Sequence, residues 1–322
     1  MTKYTFKYTF YLRILSYLIL FNSFCRQSKL IEYEYHDFIF GSYIRFKVWV
    51  SDTNAAHNAI SRAMQELKHI DSVASVFNPN SEVSIINKNG YGKMSDDLKK
   101  IILKSLEVSE NSQGAFDITV GPALKAYGFY DRNQLTKSEK IVPLESVVGY
   151  KNIVIRDDSI FLKPNMTIDL GGIAVGYALD KISNILKLAG IKSGLIDAGG
   201  DIICFGEKVY NIGVKNPKGN GIIKTISIKN QAISTSGNYE KFYNQDDVKY
   251  CHIINPKTSK PIDDAPNSLS SVTIITNNCV DADAYATAVF VLGLADGQNL
   301  IRRLKYRGIL IANDGTIVEV NN

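Results

Sequence analysis

The chain has 322 residues, 45% apolar and 21% charged, with a net charge of +5. Those totals exclude a disordered chain and allow one large domain or two smaller ones around a buried core. The positive excess is dispersed over lysines without a block of like charge, which gives nucleic-acid binding no support.

Residues 1–25 read as a targeting segment. Lys3, Lys7 and Arg13 precede an apolar run, Ile14 to Phe21, of signal-peptide length and short for a membrane-spanning helix. Cys25 follows where a bacterial lipoprotein carries its acylated cysteine, while Phe24 departs from the small residues such a site prefers. Acylation, an uncleaved anchor and plain secretion stay open, and each puts the domain outside the cytoplasm. None of the four cysteines, Cys25, Cys204, Cys251 and Cys279, lies in a C-x-x-C pair, which argues against structural zinc. Cys204 and Cys279 are expected to be small buried apolar residues.

The body is expected to span 31–322 as one α+β unit with antiparallel sheets and helices packed outside. Tyr43–Val50 alternates like a half-buried strand. From Thr53 to about Val76, the residues Ala56, Ile60, Met64, Leu67 and Ile70 recur at helical spacing. Phe77–Ser84 is expected to be a polar loop broken at Pro79. Leu98, Ile101, Ile102 and Leu106 form one face of a second helix, capped by Ser95. Gly114–Pro122 is expected to be a fixed loop or short strand rather than helix. A polar surface excursion at 131–146 precedes a hairpin, Asn152–Ile155 with Ile160–Lys163.

Ile168–Tyr177 places Gly171, Gly172 and Gly176 ahead of a helix ending at Gly190. Glycines there let backbone groups approach a phosphate or a metal, and their spacing fits neither a Walker A loop nor a dinucleotide fingerprint. Strand, turn, strand follows around Ala198-Gly-Gly-Asp201, then short strands to Ser234-Thr-Ser-Gly237, whose hydroxyls suit oxygen-rich ligands. His252 is expected on a strand. Ser271–Thr276 leads into a helix on which Asp283 and Thr287, four apart, share one face. A carboxylate and a hydroxyl so stacked offer two hard oxygen ligands to a magnesium-like cation; the plainer alternative is an acidic helix start through Asp281 and Asp283. A helix at about 296–304 and a hairpin, Ile309–Ala312 with Thr316–Val320, close the chain.

Seven stretches occur in the order seen in ApbE-type proteins: Ser81–Ser84, Phe116–Pro122, Ile168–Tyr177, Gly199–Asp201, Ser234–Gly237, His252–Pro256 and Ala282–Thr287. From about residue 37 to 320 the chain therefore resembles the FAD:protein FMN transferases. The resemblance implies an ApbE-like (T-fold-like) domain that binds FAD as substrate beside Mg²⁺ and passes FMN to an acceptor threonine with release of AMP. It implies metal ligation by Asp283, Thr287 and the Gly172 carbonyl, and His252 as general base. It implies flavin or nucleotide contacts by Phe40, Phe77, Ala115, Phe116, Asp117, Asp169, Val175, Asp201 and Ile254. Three of these depart from the family pattern: Val175 replaces a usual lysine, Phe77 a frequent tyrosine, and Phe40 an often-methionine contact. The implied acceptor is an extracytoplasmic protein, such as a redox-pump subunit of the Rnf or Nqr type. Alternatives are a Mg²⁺-dependent FAD pyrophosphatase giving FMN and AMP, and a flavin-binding lipoprotein without turnover.

Overall fold

The computed structural model describes residues 30–130, 143–239, 242–245, 248–266 and 268–321. The expected targeting segment at 1–25 and most of the expected polar excursion, 131–142, lie outside the described residues. A nine-residue hairpin pair opens the fold, β1 (Ile31–Ile39) and β2 (Ser42–Val50). Three helices follow: α1 (Thr53–Ala74), α2 (Glu82–Asn89) and, after β3 (Tyr91–Lys93), α3 (Asp96–Asn111). The side chains of Asp52, Ser81 and Ser95 cap these helices by accepting from first-turn N–H groups, so polar residues set each start. The expectation of a loop through Ser84 is therefore corrected. Only 75–81 is irregular, because Ser81 accepts from Ser84 N at 3.0 Å and starts a new helix.

A second correction concerns Gly114–Pro122. Asp117 caps a 3-10 turn at Ile118–Val120, which runs into α4 (Gly121–Ala126) with Pro122 in its first turn. There a proline's missing N–H costs nothing and its φ is preset for helix. Beyond it lie β4 (Val154–Arg156), β5 (Ser159–Phe161), α5 (Ala174–Leu188), β6 (Ser193–Ala198) and β7 (Asp201–Gly206). The chain continues through β8 (Tyr210–Lys215), β9 (Ile222–Ile228), β10 (Ala232–Gly237), β11 (Phe242–Gln245), β12 (Val248–Asn255), β13 (Lys260–Asp263) and β14 (Leu269–Thr276). It ends with α6 (Cys279–Leu304), β15 (Arg307–Ala312) and β16 (Ile317–Val320). Helix α6 is two helices joined at Gly293, whose φ of 76° breaks the run where the sequence predicted a gap.

Eight strands form one antiparallel sheet in the order β1-β2-β6-β7-β10-β14-β15-β16. Alternation along each strand splits its side chains between two cores. Phe46, Ile196, Ile203, Phe205, Ile274 and Leu310 face α1, α5 and α6. Leu195, Ile202, Cys204, Ile275, Ile309 and Ile311 face the β8–β9 hairpin on the other side. Cys204 and Cys279 are buried and free, as expected of small apolar residues, and Cys251 is likewise buried and free. Among the described residues no helix is long and apolar enough to cross a membrane.

The helices are also tied by charge. Lys181 of α5 reaches Glu66 of α1 at 2.6 Å and Asp97 of α3 at 2.7 Å. Tyr177 donates to Asp97 at 2.7 Å, and His69 lies 3.1 Å from the same carboxylate. Glu66, His69 and Asp97 cluster closely enough for a metal, but the Lys181 ammonium already supplies their cation. Burial works against the charge on Asp97, yet the bonds from Lys181 and Tyr177 hold its carboxyl below the ordinary range. Lys181→Met should strip that charge of its cation and cost about 1–3 kcal/mol, allowing for partial exposure, measured by urea unfolding.

Candidate functional site

The carboxylate predicted to hold a metal is placed by two helices at once. Asp283 is 7% exposed and accepts a hydrogen bond from Gly176 N of α5 at 3.0 Å. In return, Asp180 of α5 accepts from Cys279 N at 2.7 Å and Val280 N at 2.9 Å, occupying the first N–H groups of α6. Gly176 makes the exchange possible. A Cβ there would lie 2.5 Å from the Cys279 carbonyl oxygen and 2.8 Å from Asp283 Cβ.

Thr287, one turn beyond Asp283, is half-buried, with Ser236 Oγ 3.3 Å from its hydroxyl. Gly172 stands against it: a Cβ on Gly172 would sit 3.5 Å from Thr287 Oγ1 and 3.4 Å from the Phe116 ring. Thus Gly172, Thr287 and Phe116 meet. Asp201 stands at the start of β7, its carboxylate accepting from the Ser234 hydroxyl. Burial raises the pKa of Asp283 well above the ordinary carboxylate range, and the charge of nearby Asp201 adds to the effect. Burial likewise raises Asp201, against the pull of the Ser234 hydroxyl. Neither carboxylate is in an ion pair among the described residues. A carboxylate and a threonine hydroxyl on one helix face, with a second acid close enough to be felt, are a donor set that fits a hard divalent cation.

The other expected residues fall into three groups. Ala115 and Phe116 are buried in the loop behind Gly172, and backbone pairing of Asp169 N with Ile118 O (2.7 Å) joins that loop to the glycine turn. Asp117 is committed internally: one oxygen accepts from Thr119 N and Oγ1, the other from Tyr150 N. Asp169 accepts from Gly171 N and from the Tyr130 hydroxyl, each at 2.7 Å. Phe77 is 71% exposed and meets Tyr130 edge-on, ring centroids 5.8 Å apart.

Phe40 sits in the β1–β2 turn at φ 54°, a left-handed conformation that strains a residue with a Cβ. That turn abuts the Gly199-Gly200 bend before Asp201, where a Cβ on Gly199 would overlap Ser42 Oγ. Val175, at the second position of α5, packs on the main core. His252 and Ile254 lie on β12 where its pairing with β13 slips between Tyr250 and Ile254, an irregularity that re-aims side chains. Strand β12 packs beside α6 and α4. His252 is half-buried and Ile254 buried.

Two residues of the site escaped the sequence reading. Asp180 had a signal, since it lies four residues after Gly176 and so shares its helix face. Tyr130 had none, because its contact with Asp169 arises only from folding.

Comparison with known proteins agrees with this architecture. The ApbE protein of Thermotoga maritima superposes with a TM-score of 0.82 over 90% of this chain and 97% of that one, at 30% identity. The apo flavinyl transferase ApbE of Pseudomonas stutzeri gives 0.79 over 91% and 95% at 24% identity, a likeness of fold. A Klebsiella pneumoniae FAD:protein FMN transferase is 28% identical over 84% of this chain and 86% of its own length. A Treponema pallidum protein of the same name is 27% identical over 86% and 83%. Fold and relatives together define the class: the protein is a transferase. It belongs to the ApbE family, whose sequence profile matches residues 40–310.

Two outcomes follow from the α5–α6 contact. Gly176→Ala should force the helices apart and cost about 1–3 kcal/mol in chemical denaturation. Burial also pushes Asp180 up from 3.8 to about 6. A raised folded-state pKa means that the group's contribution is fully present at low pH and is lost as pH rises toward 6. In metal-free buffer, stability should therefore fall between about pH 4 and 6, and Asp180→Asn should make that slope shallower, the remainder coming from Asp201 and Asp283.

Proposed function

We propose that the protein is an FAD:protein FMN transferase. It uses Mg²⁺, transfers FMN to a threonine of an extracytoplasmic acceptor, and releases AMP. The observation that carries this reading is geometric: Asp283 and Thr287 share one face of α6, the Gly172 turn stands against Thr287, and neither Asp283 nor nearby Asp201 has a cation among the described residues. Asp283, Thr287 and the Gly172 carbonyl would hold the ion. When bound, Mg²⁺ neutralises charge on the FAD diphosphate.

The chain's own residues do the rest. Phe77 supplies exposed apolar surface for the flavin, with Phe116, Ala115, Ile254, Phe40 and Val175 as the apolar residues behind it, Asp169 and Asp201 as polar groups, and Asp117 holding its loop in shape. His252 takes the proton from the acceptor hydroxyl as the threonine oxygen bonds to the FMN phosphorus and the bond to AMP breaks. The signal-like sequence of residues 1–25, three cationic residues ahead of the apolar run Ile14 to Phe21, supports an acceptor outside the cytoplasm, reached from a membrane-anchored or secreted enzyme.

The test is AMP release from FAD and Mg²⁺ with and without a threonine-bearing acceptor protein, with the acceptor's mass read for added FMN. Acceptor-dependent AMP with flavinylation supports the transferase. Rapid AMP without acceptor identifies hydrolysis, and no AMP in either arm refutes both. Asp283→Ala should lower turnover by about 100-fold or more, because the remaining ligands cannot hold the ion alone.

A further inference from the structure

The glycine turn is held from a direction that the site residues themselves do not provide. Asp169 precedes it and uses both carboxylate oxygens: Oδ1 accepts from Gly171 N at 2.7 Å, and Oδ2 accepts from the Tyr130 hydroxyl at 2.7 Å. A Cβ on Gly171 would lie 2.9 Å from that same Oδ1, so the turn and the carboxylate are in contact. The next residue, Gly172, is the one that backs on Thr287 Oγ1 and the Phe116 ring. Tyr130 is itself anchored by the turn after α4: Gly128 N donates to Lys125 O and Phe129 N to Leu124 O. Its ring meets Phe77 edge-on. Burial and the adjacent Asp169 charge raise the pKa of the Tyr130 hydroxyl, which keeps it protonated and donating.

From this chain of contacts we infer that Tyr130 is a positioning residue. Its hydroxyl fixes the Asp169 carboxylate in the orientation that bonds Gly171 N–H, and so sets where Gly172 stands opposite Thr287. A carboxylate with a single partner can rotate about its last torsion; one held at both oxygens cannot. The same ring backs Phe77, so one residue braces both the polar and the aromatic side of the cleft. Phe77 has no hydroxyl, and Tyr130 is the tyrosine that brings one to this corner.

This inference rests on the transferase reading, and a double-mutant cycle separates the two. Wild type, Tyr130→Phe, Asp169→Asn and the double variant are compared for FAD affinity by flavin fluorescence. The Mg²⁺ concentration giving half-maximal AMP release is measured on the same four, at equal folded fraction by circular dichroism. Tyr130→Phe keeps the ring and its packing on Phe77. It should raise the half-saturating Mg²⁺ concentration roughly tenfold, the scale of one lost hydrogen bond to a charged group. The double variant should be no worse than Asp169→Asn alone, since the hydroxyl acts through that carboxylate. If Tyr130→Phe matches the active wild type in Mg²⁺ dependence, or if the two changes add independently, the positioning role is overturned. Absence of FAD binding and AMP release in the wild type would instead overturn the transferase reading.

Discussion

The structure turns on the mutual hold between two helices. Helix α5 offers the Gly176 N–H to Asp283, and α6 offers the N–H groups of Cys279 and Val280 to Asp180. Each bond joins a carboxylate to a backbone N–H that helix geometry leaves without an intrahelical partner or that the close approach exposes, and the bond at Asp283 is fully buried. The approach is close enough that only glycine fits at 176. This contact brings the residues after the glycine turn against the face of α6 that carries Asp283 and Thr287. Without it, the acid and the hydroxyl would still share a helix face but would have nothing opposite them.

The rest of the fold serves that contact. The eight-stranded sheet supports α5 and α6 on one face and is closed by the β8–β9 hairpin on the other. The Lys181 ion-pair knot fixes α5 against α1 and α3, so the helix that supplies Gly176 is also held along its length. Helix α6 divides its duties at Gly293: the part before the kink faces the site, and the part after it leads into β15. The charge of Asp201 and burial both work against ionisation of Asp283, and the Gly176 N–H is the group that works for it.

Much of this was legible in the sequence where the signal is local or periodic. The apolar spacing of Ala56 to Ile70 gave α1, the Ser95 cap gave α3, and the four-residue step from Asp283 to Thr287 gave the face of α6. The motif order gave the family. The misreadings at 77–84 and 114–122 share one cause. Polar residues around Pro79, and the glycine and proline bracketing 114–122, read as non-helical, whereas Ser81 and Pro122 start helices because each suits the beginning of one. What periodicity cannot carry is pairing between distant segments: Asp180 capping another helix, Tyr130 reaching Asp169, and the split of strand faces between two cores.

The order of the large sheet has a kinetic consequence. Ile44 near the start of the chain pairs with Ala198, and β10 must wait for β14 before its far edge is complete. Such long-range registry makes acquisition of the native state slow compared with a helical bundle of similar size. The cleft draws on segments from Phe40 to Thr287, so it is assembled late, after the last helix has been synthesised. Until then the half-built sheet presents unpaired edges. Molecular chaperones are therefore expected to matter more for the yield of this protein than for its final stability.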